Sequence, residues 1–330
     1  PEAEAAQIDE TARLTVELQT MRRDNDSAQQ GRILRGVHTK AHGCVRAAFT
    51  VNKGIDEPHR VGVFAQPGRT FDAWIRYSNA SVLLEDDLKA DDNGVRQNGS
   101  RGMAIKVMGV DGEILQADGG EHNQDFLMIN TPRFVFPDVR SYHRLTKVLE
   151  RSKPKGDSVG EFFLPLALAQ AGKAPPEGDL WAGFEPADLA STKLSLGILR
   201  AEVQAAPVRN PLEVAYFGAA SFLFGPDRAM KFSAQPCKAV EQMAFSDDEK
   251  KTLSKDYLAE TLARTMHGSE SICYEFKIQT RAKAELDESA IAEGFENVAS
   301  MWPNELANYR TVASIEIPAP QQTDTAEARE

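Results

Sequence analysis

Cysteine is scarce in this sequence. Cys44, Cys237 and Cys273 are the only three in 330 residues, and none stands in a C-x-x-C pair. That excludes a disulfide scaffold and a cysteine zinc site, and the odd count predicts reduced thiols and a cytoplasmic chain. No apolar run is long enough to cross a bilayer, and the first residues show no signal-peptide pattern. Basic charge is also in deficit: 38 Lys and Arg against 49 Asp and Glu leave a net charge of -11. With no basic stripe along the chain, a nucleic-acid partner is not expected. No repeat is visible.

What is present is the make-up of an ordinary globular protein, 42% hydrophobic and 26% charged, at a length that suits one large domain or two smaller ones. Residues 4–28 read as an amphipathic helix, with Ile8, Leu14, Leu18 and Met21 near one face. From Cys44 the period drops to two. In Cys273–Thr280, Tyr274, Phe276 and Ile278 alternate with Glu275, Lys277 and Gln279, the pattern of a half-buried strand. Comparable runs are 44–51, 60–65, 73–78, 102–109, 125–130, 229–235 and 311–318, separated by turn residues such as Asp111-Gly112. Helical spacing returns over about 138–205, with a break at 172–178, and over 246–266, where Ser246 and Glu249 form a capping box. Antiparallel strands with inserted helices predict an α+β chain built on a closed barrel. Its parts would be a helical arm at 1–30, the barrel domain at 31–318 and an unstructured polar tail at 319–330.

The segment Arg35-Gly-Val-His-Thr-Lys-Ala-His-Gly-Cys-Val holds His38 and His42 four residues apart. On a helix that spacing suits zinc, but no Glu follows His38 and Gly43 leads straight into a strand. The same segment resembles the distal segment of haem catalases. Further pieces follow in that family's order: Trp74-Ile-Arg-Tyr-Ser78, Ser100-Arg-Gly-Met-Ala-Ile-Lys-Val107, Asp125-Phe-Leu-Met-Ile-Asn-Thr-Pro132 and Phe136-Pro-Asp138. The likeness is good over about residues 30–150 and weaker over 216–236 and 273–318. Short bacterial catalase-like haem proteins are the subgroup it resembles most.

The resemblance implies a catalase-type barrel, haem b as cofactor, and a peroxide or an organic or fatty-acid hydroperoxide as substrate. His38 matches the distal histidine, and an imidazole that titrates near neutrality suits the proton shuttle of peroxide cleavage. Ser78 would hold the imidazole's tautomer. Arg35 and Arg76 match arginines that pair with haem propionates or proximal groups. Val37 and Phe134 would line the haem face, and the whole would form an apolar pocket at the barrel mouth. Two departures stand out. Ile129 falls where the family has a catalytic asparagine, so Asn130 reaches the pocket only if the strand shifts. And none of the six tyrosines, Tyr77, Tyr142, Tyr216, Tyr257, Tyr274 and Tyr309, stands in the context of the family's proximal ligand. The sequence stops near where that segment would begin, which implies part of a longer chain or a lost ligand; a homo-oligomer is also open. Peroxidase or hydroperoxide-rearranging activity is expected over efficient catalase turnover. The alternative is a non-enzymatic binding or partner domain with weak or no haem.

Overall fold

The structure, a computed structural model, describes residues 2–90, 96–113, 122–156, 158–282, 295–302 and 308–325. Its strands are β1 (Ala41–Val51), β2 (Thr70–Asn79), β3 (Lys89–Ala90), β4 (Arg96–Gln97), β5 (Arg101–Met108), β6 (Asn123–Ile129), β7 (Tyr216–Phe217), β8 (Phe222–Leu223), β9 (Arg228–Pro236), β10 (Ile272–Ala282) and β11 (Arg310–Ile317). They pair antiparallel in the order β10-β11-β1-β2-β5-β6-β7-β9, and β9 returns to β10 over nine residue pairs. The result is an eight-stranded closed barrel. β8 adds to β9 as a short hairpin, and β3 pairs with β4 apart from the barrel.

Period-two patterning decides what fills this barrel. Val45, Phe49, Ile75, Tyr77, Ile105, Phe126, Phe276 and Ile278 all point inward and are buried. The rings of Phe49, Phe126, Phe232 and Phe276 pack with centroids between 4.6 and 6.1 Å. At roughly 1.5–3 kcal/mol for each large apolar side chain buried, this cluster carries much of the folding energy. Tyr216 and Tyr274 join it because both hydroxyls donate to the Pro211 carbonyl, at 2.9 and 3.3 Å. The interior is thus packed with side chains, as a small barrel requires.

The helices lie outside. α1 (Glu2–Asn25) packs on α2 (Val139–Arg151) through Leu18, Leu145, Val148 and Leu149. Asp138 caps α2 by accepting from the Ser141 amide at 2.7 Å. α3 (Leu164–Gln170) and α4 (Pro186–Ile198) complete that layer. α5 (Asp247–Thr252) starts at the expected Ser246–Glu249 capping box. The single helix expected through residue 266 is broken, because Leu253 takes an extended ψ of 136°; α6 (Tyr257–Met266) then follows.

Three further expectations are corrected. Residues 60–65 are not a strand: Gly62 has φ +55°, and the turn it makes drives Val63 and Phe64 into the barrel core. The polar stretch after 318 is bonded to β1 in its described part. The Thr323 carbonyl accepts from the Cys44 amide at 2.8 Å, and Gln321 bonds the Arg46 backbone. Finally, Cys237 and Cys273 form a disulfide, leaving Cys44 as the free thiol. They lie 36 residues apart in sequence, but one follows β9 and the other starts in β10, with Cα atoms 5.4 Å apart. The inference of a cytoplasmic chain rested on reduced thiols and loses that support. No helix among the described residues is long and apolar enough to cross a membrane.

Candidate functional site

Because side chains alternate along a strand, the barrel also has an outer wall. The register places Ser78 (β2), Gly102 (β5), Ile129 (β6) and Phe217 (β7) side by side across four strands on that wall. His38, in the loop before β1, lies over this row. Its Nδ1 is 3.0 Å from Ser78 Oγ, and the ring also bonds the Asn79 backbone. Gly102 is the floor: a Cβ there would stand 2.2 Å from His38 Nδ1 and 2.8 Å from Ser78 Oγ. Only glycine admits the imidazole at this depth.

With Nδ1 held by Ser78, His38 lines a small cavity of about 280 Å³. Its walls are apolar: Leu127, Ile129, Phe134, Phe217, Phe222 and Val298. Leu127, an outward residue of β6, is 70% exposed for that reason. A second cavity of about 750 Å³ adjoins it through Phe134, Phe222 and Val298, and runs past Tyr142 of α2 to Ile8 and Ala12 of α1. Burial, then the nearby Arg76 and Arg35, lowers the His38 pKa to about 4. The imidazole is therefore neutral at pH 7, able to accept a proton.

The loop carrying His38 is fixed from beneath. Lys40 reaches Asp87 (2.8 Å), Asp256 (2.9 Å) and the Lys255 carbonyl (2.7 Å). Asp87 also accepts from the Leu258 amide at the start of α6, 2.9 Å away. His42 Nε2 donates to Asn79 Oδ1 at 3.1 Å, and Arg101 donates to the same oxygen. Burial lowers the His42 pKa to about 4 as well. His42 thus belongs to a buried polar network and does not pair with His38. Among the described residues no group of His, Cys, Asp or Glu is arranged to hold a metal ion.

No protein-family model matches this sequence, and no curated protein matches it. Solved structures do. A fungal catalase aligns at TM-score 0.58 and 16% identity, over 90% of this chain and 52% of its own. A bacterial catalase aligns at 0.55 and 15%, over 88% and 49%, and catalase A from Saccharomyces cerevisiae at 0.58 and 15%, over 87% and 52%. The chain has the catalase fold. It spans about half the length of these catalases, and at such identities the likeness is one of fold.

Within the catalase fold the expected residues take unequal places. His38 and Ser78 come together, and Phe134 lines the cavity. The site lies on the outer wall and not at the barrel mouth, because aromatic rings fill the interior. Val37 is 40% exposed and is not among the cavity's walls. Asn130 turns away: its Oδ1 accepts from the Arg101 amide (2.6 Å) and Ser100 Oγ (3.3 Å), so Ile129 is the residue that faces the cavity. Arg76 donates to the His38 carbonyl at 2.9 Å, and Arg35 lies close enough to lower the Arg76 pKa after burial has done so. Neither arginine has a carboxylate partner among the described residues. Sequence reasoning missed Gly102, Phe217 and Phe222. An isolated glycine within a strand was the available signal for the first.

The chemistry of these walls is compatible with a flat apolar macrocycle: the two cavities share Phe134, Phe222 and Val298 and are largely apolar, while Arg76 and Arg35, near His38, have no carboxylate partner among the described residues. Most of the tyrosines lie away from the two cavities. Tyr77, Tyr216 and Tyr274 are sealed inside the barrel, and Tyr257 donates to the Val208 carbonyl at 2.7 Å. Tyr309 precedes β11, while Tyr142 lies on the wall of the larger cavity, where burial raises its pKa.

Proposed function

We propose that this protein reacts with hydrogen peroxide or organic hydroperoxides at a haem held against His38. The observation that carries the proposal is the His38 ring seated on Gly102, with Nδ1 bonded to Ser78 and the residue lining an apolar cavity. Phe134, Phe217 and Phe222 would pack the porphyrin, and Arg35 would take a propionate; bound haem supplies the iron at which the O–O bond is broken.

The chain's own part is proton handling. Neutral His38 accepts the proton of an incoming hydroperoxide at Nε2 and delivers it to the distal oxygen as the leaving hydroxyl departs. Ser78 holds the ring through Nδ1, which leaves Nε2 for this exchange. The apolar walls keep bulk water from competing for that proton. Ile129 offers no hydrogen bond to orient a second peroxide, which favours peroxidase or hydroperoxide reactions over oxygen-evolving turnover.

The test is a titration of the purified protein with hemin, read by the Soret band, followed by stopped-flow mixing with hydrogen peroxide or cumene hydroperoxide. His38→Ala should bind hemin yet react on the order of 10²–10⁴-fold more slowly. Absence of a Soret band would leave a cofactor-free binding domain as the reading, and an unchanged rate in His38→Ala would remove His38 from the chemistry.

A further inference from the structure

We infer that Arg76 is the positioning residue for His38, acting together with Ser78 as a two-point grip from a single strand. The inference rests on the reading of His38 as the proton-handling group and gives Arg76 a different role from the carboxylate partner that the resemblance implied.

His38 has φ +53°, in the left-handed region. Residues other than glycine stay there only when their surroundings hold them. Gln30 is the only other described non-glycine residue with a positive φ. The His38 carbonyl is turned toward β2, where Arg76 Nη2 donates to it at 2.9 Å. Two residues further along the same face of β2, Ser78 takes the other end of the residue, Nδ1 of the ring, at 3.0 Å. Residues two apart on one strand face are about 7 Å from each other. Both long-range bonds of His38 thus come from one face of one strand, so β2 fixes both backbone and imidazole. The loop on either side is tied independently. The Thr39 amide donates to the Ser81 carbonyl at 3.3 Å, Thr39 Oγ1 to the Arg35 carbonyl at 2.9 Å, and the Asn79 amide to the Lys40 carbonyl at 2.9 Å. His38 itself depends on β2.

The charges around Arg76 agree with this role. Its charged neighbour is Arg35, and the Cys44 thiol lies opposite it in the β1–β2 register. The guanidinium's positive charge beside His38 disfavours a second cation on the ring and favours the neutral imidazole. Burial and Arg35 act on the ring in the same direction.

The test uses the full chain with ¹⁵N-labelled histidine and no haem added, so it does not depend on the activity. Arg76→Met removes donor and charge; Arg76→Lys keeps the charge and a donor. In the unaltered protein, His38 should show one fixed tautomer and a titration near 4. Arg76→Met should give a mixed tautomer and a titration moved toward the ordinary histidine value, while Arg76→Lys restores most of both. The His42 signal, set by Asn79 and Asp87, should stay in place and report that the fold is intact. With hemin and cumene hydroperoxide, Arg76→Met should react on the order of 10²-fold more slowly, the scale for a group displaced by about 1 Å. If His38 keeps its tautomer and titration in Arg76→Met, the inference is overturned. If Arg76→Met does not fold, Arg76→Gln takes its place: a mixed tautomer with the titration moved up supports the grip, and an unaltered ring refutes it. Should the unaltered protein fail to react with peroxide while Arg76→Met still frees the ring, the haem reading falls and the positioning role stands.

Discussion

Adding one methyl group at Gly102 tests the site most directly. In Gly102→Ala the new Cβ would stand 2.2 Å from His38 Nδ1, 2.5 Å from Cε1 and 2.8 Å from Ser78 Oγ. Ordinary contacts between heavy atoms begin near 3.5 Å, so the ring must withdraw by about 1.3 Å or more. Ser78 cannot yield in its place, because it is fixed in β2 between Gly102 and Ala41. Withdrawal breaks the Ser78 hydrogen bond, a loss of about 1 kcal/mol. Alanine in a strand is better than glycine by roughly 0.5–1 kcal/mol, which offsets most of that. The urea midpoint should hardly move. The reaction with hydroperoxide should slow on the order of 10²-fold, because the same displacement takes Nε2 off its line. The titration of His38 should also rise from about 4 as the ring re-enters solvent. Histidine-labelled NMR, urea denaturation and stopped-flow mixing read these three quantities. A Gly102→Ala protein in which His38 still titrates near 4 and reacts at the unaltered rate would refute the seating of the ring. A loss of more than about 3 kcal/mol, beyond the usual range for overpacking, would show that the wall is a structural core and not a site.

Stability should fall as acid is added. His38 and His42 both titrate near 4 when folded and near 6.5 when unfolded, so between those values the unfolded chain binds the extra protons. Their contribution is intact above pH 6.5 and is lost toward pH 4, about 3 kcal/mol for each ring; urea midpoints that stay level from pH 7 to 4 would contradict this. Cys237→Ser opens a loop of 36 residues, for which closure entropy gives about 4 kcal/mol. Calorimetry should show a Tm lower by several degrees, reproduced in the unaltered protein by a reductant, and equal Tm values with and without reductant would show that the bond does not constrain the unfolded chain.

The long strands were legible because one of their faces is buried in a barrel, which imposes period two over seven or more residues, as in 272–282. β7 and β8, at two residues each, are too short to show any period. Residues 60–65 carry an apolar run that looks like a strand, but the run plugs the barrel end through a turn, and period alone does not separate those two fates. The break at Leu253 was invisible because it serves a tertiary contact, Lys40 gripping Lys255 and Asp256. At the site, His38 and Ser78 were readable through a resemblance of motifs. Most of the walls were not: Leu127, Phe217 and Phe222 are apolar residues on a face that pattern reading assigns to solvent. Arg76 and Val37 were read by motif position, which says nothing about which way a carbonyl turns or how far a loop stands out. The disulfide was hidden because the adjacency of β9 and β10 is a property of the closed barrel and not of sequence spacing.

Alternation along the wall strands has a consequence for how such a site can change over time. Tyr77 lies between Arg76 and Ser78, and Met128 between Leu127 and Ile129, each with its side chain in the barrel core. The wall residues of β2, β6 and β7 are thus one peptide away from a residue that holds the molecule together, yet point the other way. A substitution at 127, 129 or 217 redraws the cavity without touching an interior contact, so new substrates could be explored at little risk to folding. The exception is Gly102, whose missing side chain defines the seat itself; a lineage that lost it would keep the barrel and lose the place where the histidine rests.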